Sequence, residues 1–331
     1  MSEKHANISI FVPHIGCPNK CSFCNQRYIT GVFKAPSADD VILSVKNAKK
    51  SKNYNPAVTE IAFFGGSFTA INKNYMLHLL ETASKFVESG DVSGIRISTR
   101  PDAINEEILT LLKRYHVTAI ELGAQSMNDR VLKKNNRGHS SKDVFDSSML
   151  IKEYGFELGL QIMTGLYGDT ASSALKTADD VISIKPDTVR IYPTIVLKDT
   201  YLAAMYADKI YKPQSLDDAV DLASQLYTKF TENGIKVIRL GLHSIEEDAY
   251  IAGPWHPSFS ELCLSRILLN EVLKQISQKG KYIIYVNKSD VSKMTGQKRC
   301  NLIHLNSLGF NCSVKVKENL KSLEFQIERE V

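Results

Sequence analysis

The 331-residue chain has no long hydrophobic run, few cysteines and no repeated or low-complexity segment. No apolar run approaches the ~20 residues that a membrane-spanning helix needs. The first residues, MSEKHANISIFV, lack the basic and apolar zones of a secretory signal. We therefore expect a cytoplasmic protein with no membrane partner. Six cysteines in a chain of this length do not form the framework of a small disulfide-rich protein, so metal binding or catalysis is the favoured use of the thiols.

Positive charge is concentrated at one end of the chain. Formal net charge is +5, yet residues 274–331 carry eleven Lys/Arg against five Asp/Glu, which leaves the preceding residues close to neutral. A basic segment of this kind attracts phosphate-rich partners or serves solubility. The last part of the chain therefore needs an explanation separate from that of the rest.

Short β-rich runs alternate with longer stretches whose apolar residues recur at intervals of three and four, a spacing typical of amphipathic helices. Six or seven such βα units predict an α/β fold, a parallel sheet curled into a complete or partial barrel. In barrels of this type the chemistry lies where strands end and loops begin. The strand runs are 8-ISIFV-12, 60-EIAFF-64, 95-IRIS-98, 118-TAIEL-122, 158-LGLQIM-163, 188-TVRIY-192 and 235-IKVIRL-240.

The pattern changes after about residue 257. A long helical stretch is followed by strand 281-KYIIYV-286, a short helix, the turn TGQKR, a second helix and two further strands. We therefore predict a core barrel over 1–257 and a small C-terminal α+β module over 258–331.

Three of the six cysteines lie within the stretch 15-IGCPNKCSFCNQRYITG-31, directly after the first predicted strand. Structural zinc is one interpretation, but zinc usually takes four Cys or His ligands in neighbouring pairs, and no second pair is apparent. Cys17, Cys21 and Cys24, spaced C-x3-C-x2-C, instead favour a [4Fe-4S] cluster with one iron that lacks a protein ligand. Such an iron is open to the amine and carboxylate of a small molecule.

The loops after the later strands carry residues suited to a bound ligand. Gly65 and Gly66 end the second strand, in FGGSFTA, and allow the backbone to approach a ligand closely. Gln125, Ser126 and Arg137 follow the fourth strand, and an arginine can pair with a carboxylate through two hydrogen bonds. Taken singly, each also reads as an ordinary turn, helix-start or loop residue.

Together, the phrases CPNKCSFCNQ, FFGGSFTAI, ELGAQSMNDRVLKKNNRGHS, IMTGLYGD and RIYPTIVLKDT resemble the radical S-adenosylmethionine (SAM) domain of the Elongator catalytic subunit and its microbial relatives. The likeness runs from about residue 8 to 265 and implies an α/β fold with a partial (β/α)6-type TIM barrel of the radical SAM kind. It implies an enzyme in which a reduced [4Fe-4S] cluster cleaves SAM into methionine and a 5'-deoxyadenosyl radical that abstracts hydrogen from a substrate. A flavodoxin or ferredoxin is the type of electron donor implied.

The resemblance also implies roles for individual residues. It makes Cys17, Cys21 and Cys24 the cluster ligands. The predicted SAM contacts are Gly65, Gly66, Ser67, Gln125, Ser126, Arg137, Gln161 and Gly165. Oxygen-independent coproporphyrinogen oxidases, which are more distant, have an acidic residue where this chain has Gln161, so the adenosine contacts there depart from the pattern.

The end of the chain also departs from the Elongator pattern. About seventy residues follow Pro257, fewer than the acetyltransferase domain of the Elongator subunit requires, so its modification of the wobble uridine is not carried over whole. The order strand, helix, TGQKR turn, helix, strand is instead that of a KH-type RNA-binding module, whose G-x-x-G loop clamps the nucleic-acid backbone. The predicted RNA contacts are Lys293, Gly296, Lys298 and Arg299, with an arginine at the second glycine position.

Three functions remain open from the sequence. The first is a radical SAM enzyme that modifies RNA, with transfer RNA (tRNA) as the expected partner. The second retains the radical chemistry but acts on a small metabolite or a protein side chain. The third is an RNA-binding protein whose metal site is purely structural. The sequence carries no prediction of the oligomeric state.

Overall fold

The computed structural model describes residues 5–12, 21–25, 34–242, 245 and 248–330. Its strands are β1 Ala6–Val12, β2 Thr59–Gly65, β3 Gly94–Thr99, β4 Val117–Gln125, β5 Glu157–Thr164, β6 Thr188–Pro193, β7 Val196–Leu197, β8 Lys236–Leu240, β9 Tyr250–Ala252, β10 Gly280–Val286, β11 Phe310–Val316 and β12 Phe325–Glu330. Its helices are α1 Ala38–Ala48, α2 Lys73–Glu88, α3 Glu106–Arg114, α4 Asp129–Lys134, α5 Ser141–Glu153, α6 Ala171–Ile184, α7 Tyr201–Ala207, α8 Leu216–Glu232, α9 Phe259–Gln275, α10 Val291–Thr295 and α11 Cys300–Ser307. Within these ranges no helix is both long and apolar enough to cross a membrane.

Seven strands form one parallel sheet in the order β1-β2-β3-β4-β5-β6-β8, which follows the chain from one edge to the other. The predicted α/β fold with a partial barrel is confirmed, with seven strands at the upper end of the expected count. Because neighbouring strands are parallel, all seven carboxyl ends lie at the same rim. The loops that carry the predicted ligand contacts therefore start from one rim.

The helices cover this sheet because each has one apolar face and a defined start. In α3, Leu109 and Leu112 are buried on the sheet, and the Asn105 side chain accepts a hydrogen bond from the Ile108 amide. Such a cap satisfies an amide that has no partner within the helix. The result is one continuous core between the sheet and its helices.

The C-terminal part has its own three-stranded sheet, in the order β11-β10-β12. Strand β10 pairs in parallel with β11 and antiparallel with β12. Tyr282, Ile284 and Val286 of β10 are buried in a second apolar cluster together with Met294 and Leu305 of the two short helices. The predicted small C-terminal sheet module is therefore present, with its elements in the predicted order.

Helix α9 belongs to both apolar clusters. Phe259 and Cys263, in its first half, pack in the core of the barrel, whereas Leu268, Leu269 and Val272 pack in the core of the C-terminal module. The side of α9 is also tied to α8, because Arg266 forms ion pairs with Asp217 and Asp221. The junction between the two parts is thus a continuous helix, and the division at residues 257 and 258 stays a prediction.

Candidate active site

A cavity of about 240 Å³ opens at the carboxyl rim of the seven-stranded sheet. Its walls come from the loop after β1 that carries Cys21 and Cys24, here called the cysteine loop, from the ends of β2 to β6, and from the segment after β8. The lining includes eight predicted ligand residues: Cys21, Cys24, Gly65, Gly66, Ser67, Gln125, Arg137 and Gln161. These residues are far apart in the sequence, and the parallel sheet brings them together. Two other predicted contacts, Ser126 and Gly165, do not line this cavity.

The cysteine loop contributes thiols to one wall of the cavity. Cys21 is buried and Cys24 is half-buried, and the Cys24 amide donates to the Cys21 carbonyl in a tight turn. The Arg137 guanidinium lies against this turn, with its Nη1 donating to the Cys21 sulfur over 3.1 Å and its Nη2 donating to the Gly123 carbonyl over 2.6 Å. Cys17 lies outside the described residues.

Cysteine binds metals through its sulfur atom. Cys21 and Cys24 therefore fit one side of an iron-sulfur site. Among the described residues, which do not include Cys17, no group of three or more His, Cys, Asp or Glu side chains is placed to hold a metal ion.

The glycines after β2 form a close-packed backbone cradle. Gly65 has φ of +107°, and a side chain there would come within 2.8 Å of the Val12 carbonyl oxygen. The same oxygen accepts a hydrogen bond from the Gly66 amide over 2.8 Å. Because β1 and β2 approach so closely at their ends, only glycine fits at Gly65. The absence of a side chain leaves this backbone facing the cavity.

Ser67 is hydrogen-bonded to the end of the neighbouring strand, β3. Its hydroxyl lies 2.9 Å from the Thr99 hydroxyl and accepts a hydrogen bond from the Arg100 amide. The loop after β2 is thereby joined to the loop after β3. The predicted contact of Ser67 with SAM stays a prediction, and its position on the cavity wall is compatible with it.

Two glutamines line the cavity between β4 and β5. Gln161 Nε2 lies 3.4 Å from Gln125 Oε1. Gln125 has a left-handed backbone, with φ of +66°, which non-glycine residues seldom adopt and which often marks a functional site. Both amides therefore have polar atoms at the cavity wall.

Ser126 and Gly165 have other surroundings. The Ser126 hydroxyl lies 3.3 Å from the Thr177 hydroxyl and accepts from the Asn128 amide, so it supports the start of α4. Gly165 lines a second cavity together with Asp169 and Gln214, and its carbonyl accepts a hydrogen bond from Tyr211.

The floor of the main cavity carries a charged pair that the sequence reasoning missed. Arg190 Nη2 lies 2.7 Å from Glu121 Oε1, and the Arg190 guanidinium also lies over the Phe64 ring, 5.1 Å from its centre. Gly159 stands opposite Glu121 in the sheet and leaves room for its side chain. Burial alone would lower the pKa of Arg190, but the carboxylate of Glu121 more than offsets this, so the pKa is raised and the guanidinium stays charged.

The missed pair had a visible signal in the sequence. Glu121 and Arg190 are single charged residues within otherwise apolar strands, TAIEL and TVRIY. A charge at such a position must face a partner or a polar cavity, because an isolated buried charge is strongly destabilising. Here it does both.

The predicted RNA contacts lie in the C-terminal module and differ in exposure. Lys298 and Arg299 are exposed, and both have left-handed backbones. Lys293 forms a 2.5 Å ion pair with the fully buried Asp290. Gly296 is buried, and a side chain there would meet the Cys300 sulfur at 2.6 Å. Two of the four residues are thus presented to solvent, while the other two also hold the module together.

Family models match most of the chain. The model for the radical SAM superfamily matches residues 11–181, more than half of the sequence. This chain belongs to the radical SAM superfamily. A second model, described as the Radical_SAM C-terminal domain, matches residues 186–268. The second match runs into α9, the helix that the barrel shares with the C-terminal module.

The relatives of this radical SAM chain include proteins whose names describe an action on tRNA. It is 24% identical over 276 residues to an uncharacterized protein of Methanocaldococcus jannaschii, covering 82% of this chain and 79% of that protein. It is 30% identical over 150 residues to the tRNA uridine(34) acetyltransferase of Methanocaldococcus infernus, covering 44% of this chain and 28% of the enzyme. Human Elongator complex protein 3 is 26% identical over 288 residues, which cover 79% of this chain and 52% of that protein.

A solved structure shows the same fold. The archaeal Elp3 of Methanocaldococcus infernus, with an N-terminal deletion, superposes with a TM-score of 0.67 at 20% identity, covering 83% of this chain and 65% of that one. The chain thus spans about half of human Elongator complex protein 3 and about a quarter of the archaeal acetyltransferase. The predicted likeness to Elongator protein 3 is confirmed over the radical SAM region.

Proposed function

We propose that this chain is a cytoplasmic enzyme that binds a [4Fe-4S] cluster and SAM and modifies RNA, with tRNA as its substrate. The observation that carries the enzymatic part is the single cavity shared by Cys21, Cys24, Gly65, Gly66 and Arg137. Superfamily membership supports the cofactors, since radical SAM proteins use such a cluster. The cluster, when bound and reduced, supplies the electron that cleaves SAM to methionine and a 5'-deoxyadenosyl radical.

The chain's own residues divide the work at the cavity. Cys17, Cys21 and Cys24 would each hold one iron of the cluster, and Arg137 fixes the position of the Cys21 sulfur by donating a hydrogen bond to it. The backbone at Gly65 and Gly66 would lie against the amine of the methionine part. Gln125 and Gln161 would donate and accept hydrogen bonds at polar atoms of the remainder of SAM. A flavodoxin or ferredoxin would reduce the cluster.

The RNA part rests on two further observations. Two relatives named tRNA uridine(34) acetyltransferase each match 150 residues of this chain. In addition, the basic C-terminal module presents Lys298 and Arg299 to solvent, where their charges are free to neutralise phosphates. The proposed domains are a core barrel over 1–257 and the module over 258–331, which has the element order of a KH domain.

Iron and sulfide analysis after anaerobic reconstitution tests the metal site. We expect about four iron and four sulfide per chain, and 5'-deoxyadenosine formation from SAM that depends on dithionite. Cys24→Ala should abolish both the iron and sulfide content and the formation of 5'-deoxyadenosine. Cys312→Ala is the matched control, because Cys312 is also half-buried but lies in the C-terminal module. One zinc per chain without sulfide would instead indicate an RNA-binding protein with a structural metal.

Comparison of modified nucleosides tests the substrate. Bulk tRNA from cells with and without the protein should differ in one nucleoside, and purified enzyme with SAM and reductant should restore it. If the nucleosides are identical while 5'-deoxyadenosine still forms, the substrate is a small metabolite or a protein side chain.

A further inference from the structure

A buried amide joins the cysteine loop to two other parts of the barrel rim. Asn135, directly after α4, has no exposed surface. Its Oδ1 accepts hydrogen bonds from the Ser22 hydroxyl over 2.7 Å and from the Tyr167 amide over 3.3 Å. Its Nδ2 donates to the carbonyls of Val131 and Tyr167 over 2.8 and 2.9 Å. Every hydrogen-bonding position of this side-chain amide is therefore used.

Ser22, which lies between two predicted cluster ligands, is held at each of its polar groups. Its amide donates to the Asn135 carbonyl over 3.1 Å, its hydroxyl donates to Asn135 Oδ1, and its carbonyl accepts from the Leu202 amide over 2.7 Å. Ser22 is also fully buried. Displacement of this residue would leave buried polar groups unpaired, which is costly.

The neighbours of Ser22 are fixed by the same surroundings. Phe23 packs in an apolar cluster with Val131 and Leu202, from α4 and α7. The Asn25 side chain donates to the Lys198 carbonyl over 3.2 Å. The described part of the cysteine loop is therefore anchored on three sides, and Asn135 contacts both this loop and the loop after β5.

We propose that Asn135 is a positioning residue that fixes Cys21 and Cys24 in the geometry the metal cluster needs. Groups that orient metal ligands change affinity 10- to 100-fold when removed. Through Tyr167, Asn135 also joins the cysteine loop to the segment 165–168, so that displacement of one loop displaces the other. This inference rests on the proposed function, since it requires the two cysteines to be ligands.

The test compares iron release from reconstituted full-length proteins. A ferrous chelator is added anaerobically to the wild type, Asn135→Ala, Ser22→Ala and Asn301→Ala, and the melting temperature of each metal-free protein is measured in parallel. Asn301 is the matched control, because it is a buried asparagine whose Nδ2 donates to Ser265, Lys293 and Met294 in the C-terminal module. We expect Asn135→Ala to release iron at least tenfold faster than the wild type, and Asn301→Ala to release it at the wild-type rate.

Electron paramagnetic resonance of the dithionite-reduced proteins gives a second readout. The spectrum of Asn135→Ala should differ from that of the wild type, and Ser22→Ala should lie between the two. Equal release rates and equal spectra for Asn135→Ala and Asn301→Ala would overturn the inference while leaving the proposed function intact. A wild type that takes up no iron would overturn both. If Asn135→Ala does not fold, Ser22→Ala decides, and wild-type release from that variant overturns the inference.

Discussion

The carbonyl oxygen of Val12 occupies the space into which a side chain at Gly65 would project. The two residues face each other where β1 and β2 end, and the oxygen lies 2.8 Å from the position of a Cβ atom. The contacting atom belongs to the backbone of Val12, so it cannot move aside as the end of a flexible side chain could. This makes Gly65 the most constrained of the predicted SAM contacts.

We therefore predict that Gly65→Ala costs more stability than a left-handed glycine in open surroundings. Gly90 is the matched control, since its φ is +73° and nothing lies within 4 Å of its Cβ position. Gly90→Ala should cost about 1 kcal/mol. Gly65→Ala should cost about 1–3 kcal/mol beyond that, because it overpacks a fixed contact. Urea unfolding of the metal-free proteins measures both, and equal costs would contradict the close approach.

A second prediction concerns the charges inside the barrel. The Arg96 side chain is 3% exposed and its Nε lies 2.7 Å from Glu60 Oε2, with Glu121 and Glu157 on its other side. Arg96→Met should lower the free energy of unfolding by about 3–5 kcal/mol, because it leaves the buried Glu60 carboxylate without its arginine. Chemical denaturation measures the loss.

The exposed ion pair between Lys73 and Glu107 provides the comparison for Arg96. Both side chains are more than half exposed, and such pairs contribute about 1 kcal/mol or less. Lys73→Met should therefore change stability only slightly. A loss at Arg96 no larger than that at Lys73 would show that the buried carboxylates take up protons or rearrange without cost.

The pH dependence of stability should report on His139. This ring is buried, its Nε2 contacts the Ala124 carbonyl, and burial together with the charge of Arg137 lowers the pKa from 6.5 to about 4. Between these two pH values the His139 ring stays neutral in the folded protein, whereas it takes up a proton in the unfolded chain. As pH falls from about 6.5 towards 4, His139 should contribute a loss of roughly 3 kcal/mol in the free energy of unfolding.

Replacement of His139 isolates its share of that loss. His139→Gln should flatten the fall in stability between pH 6.5 and 4, whereas the same change at exposed His78 should leave the slope as it is in the wild type. Urea unfolding at several pH values gives the slopes. An unchanged slope in His139→Gln would mean that the ring takes up its proton in the folded protein.

The last prediction separates two groups of lysine and arginine residues in the C-terminal module. If Lys298 and Arg299 each neutralise one phosphate, Lys298→Ala/Arg299→Ala should weaken tRNA binding and reduce the slope of log affinity against log salt by about 2. Lys281→Ala/Lys315→Ala removes the same charge from exposed positions on neighbouring strands of the sheet. Filter binding at several salt concentrations compares the pairs, and identical slopes would place the RNA elsewhere.

Hydrophobic periodicity predicted the sheet well because each barrel strand is a short apolar run and each covering helix has one apolar face. Strand β4 illustrates the limit, since Glu121 and Gln125 point to surroundings that only the fold brings together. The contact between Gln125 and Gln161 depends on the register of β4 with β5, which sequence spacing does not define.

Asn135 and Ser126 show the same limit in loops. Both look like ordinary polar residues at a helix end, yet Asn135 holds the cysteine loop and Ser126 holds the start of α4. Side-chain hydrogen bonds between loops depend on three-dimensional approach, so no local pattern distinguishes these roles. A close backbone approach, such as that of Val12 to Gly65, does leave a signal in residue type itself.

Helix α9 affects how this protein can be cut or recombined. Because its two halves complete two different apolar cores, a break at its first residue would strip the barrel of Phe259 and Cys263, and a break after its last residue would leave the module without Leu268 and Val272. The C-terminal module therefore cannot be replaced by a fusion at residue 258. A chimera with another nucleic-acid-binding end would need to retain the whole of α9 and begin the foreign sequence after Gln275.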